Sequence, residues 1–137
     1  MTARGIRLRT VGLALGAAGL LATTVGVAWA ADLGKEVAMA ERHASLAAGS
    51  SAVNMVHTHL HHVINCLVGP KGAGFDSNAL NPCASLGNGI LPDTTDAAKK
   101  KIYDEALAKA EAGLKMSDLK AAQHQATAVA ATLKSGM

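Results

Sequence analysis

Residues 51–68 hold the feature that most restricts the fold. Val53, Val56, Leu60, Val63, Ile64 and Leu67 recur at helical spacing and line one stripe, and Gly69-Pro70 follows directly. An apolar stripe at this period predicts an amphipathic helix with one buried face, and the missing N–H of proline stops it. The same segment carries four of the six histidines of the chain within six positions: His57, His59, His61 and His62. His57 and His61 stand four apart on one flank of the stripe. His59, His62, Met55 and Cys66 fall on the other flank and the back. Imidazoles three or four residues apart point the same way and can close on one ion, whereas those two apart diverge.

The chain begins with Arg4, Arg7 and Arg9, an uncharged run rich in Gly, Ala, Leu and Val, and then Ala28-Trp29-Ala30. A basic start, an apolar middle and a small-x-small end predict an export signal over residues 1–30, cleaved to leave no stable membrane anchor. Of the 13 Lys and Arg, three leave with it and all 10 Asp and Glu stay. The mature chain is then formally neutral, which removes the attraction for polyanions that the precursor charge of +3 implies. Phe75 and Tyr103 are the aromatic residues left to stack on bases, so no nucleic acid partner is expected. The remaining 107 residues suffice for one small periplasmic or secreted domain.

Around the histidine helix the pattern predicts three more helices. Leu33, Val37, Ala40, Ala44 and Ala47, preceded by Asp32, mark 33–48; Gly49-Ser50-Ser51 then reads as a turn into 51–68. A single continuous helix is the alternative, since Met39, Leu46, Val53, Leu60 and Leu67 keep heptad spacing. Thr94 and Thr95 are candidate caps of a helix over 94–113, with Tyr103, Leu107, Ala110 and Leu114 on its apolar side. Ser117 is the candidate cap of 117–134, where Leu119, Ala122, Ala126, Val129 and Leu133 repeat the stripe of 51–68 at an offset of 66. Residues 69–93 form a long loop that needs a tether or a function. Cys66 and Cys83 are the two cysteines, and in an exported chain they predict a disulfide that pins this loop; a Cys66 thiolate bound to metal four residues after His62 is the rival. The expected fold is all-α: an up-down four-helix bundle of two helical hairpins joined by a long disulfide-tethered loop.

Histidine suits copper, nickel and zinc. With 33–48 and 51–68 antiparallel, His43 stands level with His57 and Met39 with His61. Spacing alone puts His57 and His61 first as metal ligands, with His59, His62 and His43 as further candidates. Flank geometry pulls the other way, because like-signed flanks meet in an antiparallel pair, and on that ground His43 approaches His59. Lys and Glu make better helices than His, so the cluster is hard to explain as a wet helix face alone. The outer histidines leave open a site shared between two protomers, and hence a homo-oligomer. No Cys-x-x-Cys-His, His-Glu-x-x-His or Gly-x-Ser-x-Gly occurs, and no enzyme activity is expected.

With an export signal, Ala-rich helices and His-x-His-x-His-His over 57–62, the chain resembles the small histidine-bearing periplasmic metal-binding proteins of bacteria, the small metal-binding protein family. That resemblance implies an antiparallel helical bundle that takes up copper, nickel or zinc for buffering or delivery. The pattern departs from it in Cys66, Cys83 and the long loop. The alternative function is a structural or protein-interaction domain that uses the stapled loop 69–92.

Overall fold

The computed structural model describes residues 30–137, so all but the last residue of the expected export signal lies outside the described residues. Within them the chain is all-helical, with five helices and no strand: α1 (Leu33–Ala48), α2 (Val53–Val68), α3 (Ile90–Asp93), α4 (Ala97–Leu114) and α5 (Leu119–Ser135). Three aspartates cap three helices. Asp32 accepts from Lys35 N at the start of α1, Asp96 from Ala98 N and Lys99 N at α4, and Asp118 from Ala121 N at α5. A carboxylate there satisfies orphan amides and faces the positive end of the helix dipole. The caps expected at Thr94 or Thr95 and at Ser117 therefore move on, to Asp96 and Asp118. At α2 the flanking residue is Ala52, which offers no side-chain bond, rather than Ser51.

The α1–α2 connection is a break between two helices. Gly49 closes α1 in an ordinary right-handed conformation, the Ser50 hydroxyl donates to the Leu46 carbonyl, and the Ser50 carbonyl accepts from Gln123 Nε2 of α5 at 2.8 Å. Heptad spacing across the turn is thus overridden by a tie to the other end of the chain. At the far end of α2, Gly69 adopts φ 68°, and a Cβ there would lie 1.7 Å from the Asn88 carbonyl oxygen. Only glycine permits that approach.

The four long helices pack in a ring: α1 lies against α2 and α5, and α4 against the same two; α2 and α5 also approach across it, whereas the α1 and α4 backbones stay apart. The core contains Val37, Ala40, Ala44 and Ala47 of α1 and Val56, Leu60, Val63 and Leu67 of α2, all at most 2% exposed. An offset of 66 carries these to Tyr103, Ala106, Ala110 and Gly113 of α4 and to Ala122, Ala126, Val129 and Leu133 of α5, which are buried too. The register noticed between 51–68 and 117–134 thus extends to α1 and α4. Alanine at so many core positions lets the helices approach closely, and Gly113 goes furthest: a Cβ there would meet Leu60 Cδ1 at 2.6 Å.

Residues 69–93 are less bare than expected, because α3 lies inside them with Ile90 fully buried. Cys66 and Cys83 form the disulfide, Cα to Cα 5.2 Å, so neither sulfur is a free thiolate. The buried Asn65 side chain is a second tether. Its Nδ2 donates to the Asp76 carbonyl at 2.9 Å and lies 3.3 Å from those of Ala79 and Leu80, while its Oδ1 accepts from Asp76 N. A third tie joins the loop to α1. Glu36, 0% exposed, accepts from Gly89 N at 3.1 Å through Oε1, and Asp32 N donates to the Leu86 carbonyl. Glu36 Oε2 has no partner among the described residues. Burial first, then the nearby Asp93 and Asp32 charges, push the Glu36 carboxyl up to about 7 against the opposing pull of the Gly89 amide.

Candidate metal centre

The groove between α1 and α2 brings three histidines together. His59 and His62 project from α2 one helical turn apart, three residues in sequence, and therefore share a direction. His43 reaches them from α1 because the break at 49–52 folds the two helices back on each other. The flank argument is the one realised: His43 meets His59.

His43 Nδ1 lies 3.3 Å from His59 Nδ1 and 3.2 Å from His62 Nδ1. One ligand nitrogen from each of the three residues falls within 4.8 Å of the others, the separation a shared ion requires. The rings meet edge to face or tilted rather than stacked. His43 and His62 are edge to face at 84° with centroids 4.9 Å apart; His59 and His62 stand at 83° and 5.5 Å, and His43 and His59 at 44° and 5.5 Å. A neutral imidazole Nδ1 either donates or accepts. Both short contacts therefore compete for one atom of His43, as one proton split between two acceptors or one lone pair split between two donors. A cation between the three nitrogens removes that conflict.

The electrostatics disfavour the charged form of His43 and His62. Burial, followed by His62, His59 and Arg42, pushes the His43 imidazole down to about 4. Burial, followed by His59 and His61, lowers His62, which is 9% exposed. Metal ligation needs the deprotonated ring, so both lone pairs are available at neutral pH. No carboxylate belongs to the group, and a divalent ion held by three neutral imidazoles would keep its full charge.

The pair that spacing put first, His57 and His61, is directed elsewhere. His57 Nε2 donates to the Met116 carbonyl at 2.9 Å, which ties α2 to the turn before α5. His61 Nδ1 lies 3.5 Å from Asp76 Oδ2, next to the loop segment that Asn65 holds. Both sit on the flank of α2 that faces α4 and the loop, away from α1. His124 is exposed on α5. Sequence reasoning missed the buried polar pair Glu36 and Asn65. Asn65 had a signal, since it interrupts the apolar run Val63-Ile64-Asn65-Cys66-Leu67-Val68.

No protein-family model, curated protein or solved structure matches the chain. Among the described residues no helix is long and apolar enough to cross a membrane, and the intramolecular disulfide fits an oxidising environment outside the cytoplasm.

Proposed function

We propose that this chain is an exported helical protein that binds a transition metal ion, copper, nickel or zinc, through His43, His59 and His62, for buffering or delivery in the periplasm or outside the cell. The observation that carries this reading is the convergence of three Nδ1 atoms from two helices, with His43 3.3 and 3.2 Å from its partners. We read the ring of long helices as an up-down bundle whose first hairpin carries the site. Three protein ligands leave a position for solvent or for a ligand of a receiving protein, which suits release better than permanent storage. The loop ties at Cys83, Glu36 and Asn65 hold the neighbouring ends of α1 and α2, so the groove is preformed rather than assembled around the ion.

Isothermal titration of residues 31–137 with copper(II), nickel(II) and zinc(II), against a competing chelator, tests it. One saturable site of micromolar affinity or tighter, lost in H43A and H59A and kept in a H57A/H61A double variant, is the expected result. Weak, non-saturating uptake that ignores all four substitutions rejects it.

A second reading is favoured by the face around the loop. A cavity of about 650 Å³ there is walled by Val68, Pro70, Lys71, Leu91 and Leu107, and Leu80 stands 62% exposed nearby in sequence. On that reading the stapled loop is a protein-interaction surface and the histidines are incidental. Partner capture that survives H43A and H59A but fails when Lys71 and Leu80 are replaced would favour it.

A further inference from the structure

We infer that the His43, His59 and His62 centre is built for tetrahedral coordination through Nδ1, which makes zinc(II), with an exchangeable fourth ligand, its fitting occupant; this rests on the metal-binding reading above. The argument is the edge length of the ligand polyhedron. With metal–nitrogen bonds of roughly 2.0–2.1 Å, two nitrogens at a tetrahedral angle stand about 3.3–3.4 Å apart, and two cis nitrogens of a square plane stand about 2.8–3.0 Å apart. The two Nδ1 separations here are 3.3 and 3.2 Å, near the tetrahedral edge and longer than the planar one.

The rings are not stacked on one another: interplanar angles of 84°, 83° and 44° set the three imidazoles in different planes, as a non-planar donor set requires. A tetragonal copper(II) or nickel(II) site needs further donors in one plane with these nitrogens. The groove offers no carboxylate or thiolate for that purpose: no acidic residue belongs to the cluster, and Cys66, one turn beyond His62, is held in the disulfide. His59 and His62 stand three residues apart on one helix and His43 projects from another, so the donors come from two separate helices. The intrinsic order of affinities favours copper over zinc. Here geometry opposes that order.

The outer nitrogens point to exchange rather than permanent storage. Among the described residues no hydrogen bond reaches Nε2 of His43, His59 or His62, whereas tightly held metal histidines are usually braced there by a carboxylate or carbonyl.

Cobalt(II), a spectroscopic stand-in for zinc(II), tests the geometry in the purified protein. Intense visible bands of tetrahedral cobalt are expected at one equivalent, with loss of the bands on adding one equivalent of zinc(II), and a shift without loss on adding azide as a fourth ligand. Nitrogen-15 correlation spectra of the zinc form should show the metal on Nδ1 and the proton on Nε2 of these three residues. H59A, checked by circular dichroism for intact helices, should bleach the cobalt bands, and H57A should keep them. Cobalt bound with only the faint spectrum of six-coordination, or copper(II) bound with a tetragonal paramagnetic resonance signal and resisting a tenfold excess of zinc(II), overturns the inference while leaving metal binding intact. No uptake of any of the three ions overturns both.

Discussion

His43 on α1 and His62 on α2 face each other through their Nδ1 atoms at 3.2 Å, although 19 residues separate them in sequence. The contact exists because the chain turns back at 49–52, so anything that binds these nitrogens also holds two helices together. Binding to the native chain alone stabilises it by mass action, by about 2.7 kcal/mol when free ligand reaches 100 times the dissociation constant. Thermal melts should therefore move up by several degrees with zinc(II) in the wild type and in H57A. In H43A the melting temperature should not respond to the ion. Equal responses in H43A and the wild type would place the bound metal elsewhere.

The disulfide and the Asn65 clamp hold the same loop by different means. Closing the 17-residue separation between Cys66 and Cys83 removes chain entropy from the unfolded state worth about 3 kcal/mol on the loop-closure model. Urea unfolding of C66A/C83A should show a stability loss of that order with helical content retained. A change under about 1 kcal/mol would mean that the loop ties at Asn65 and Glu36 already hold the chain there.

Asn65 is fully buried, and its amide serves the Asp76 carbonyl while its carbonyl serves the Asp76 amide. N65A strands both backbone groups, and a buried unpaired group costs about 1–3 kcal/mol. With two groups stranded, the expected loss is about 2–6 kcal/mol by denaturant titration. N65D should be worse at neutral pH, since it sets a buried carboxylate against three carbonyl oxygens. If N65D is as stable as the wild type, the clamp contributes nothing.

The helices were legible because their stripes repeat. Val56, Leu60, Val63 and Leu67, with their counterparts 66 residues on, all entered the core. What patterning could not see was the ties between distant segments. Ile90 lies in a stretch without periodicity, so α3 stayed hidden. Glu36 precedes Val37 on the inner face, and nothing local announces that Gly89 closes over it. Among the histidines, spacing ranked His57 and His61 highest because i,i+4 pairs look like chelates. The outcome depended on which flank of α2 meets α1, a tertiary fact that sequence reaches only through the sign of the flank. The short helix-to-helix break was legible in Gly49-Ser50, yet its tie to Gln123 was not.

Glu36 and His43 make opposite contributions to the pH dependence of the metal-free protein. The Glu36 carboxyl is raised from 4.5 to about 7, so the native state binds the extra proton. Its contribution is full below pH 4.5 and is lost as pH rises to about 7, on the order of 3 kcal/mol in all. His43 is lowered from 6.5 to about 4, so the unfolded state binds the extra proton. That contribution is full above pH 6.5 and is lost as pH falls toward 4. Between pH 4.5 and 6.5 the Glu36 slope opposes those of His43 and His62, which is lowered too, so the wild type should gain less stability with rising pH than E36Q does. E36Q keeps an oxygen for Gly89 N and cannot ionise, so it should unmask the histidine slope, with stability rising from pH 4 to 6.5 and exceeding the wild type above pH 7. Urea titrations of both proteins with chelator present, from pH 4 to 8, decide it. A wild type that gains stability steadily across pH 4.5–7, parallel to E36Q, would mean that Glu36 is already ionised in its buried position.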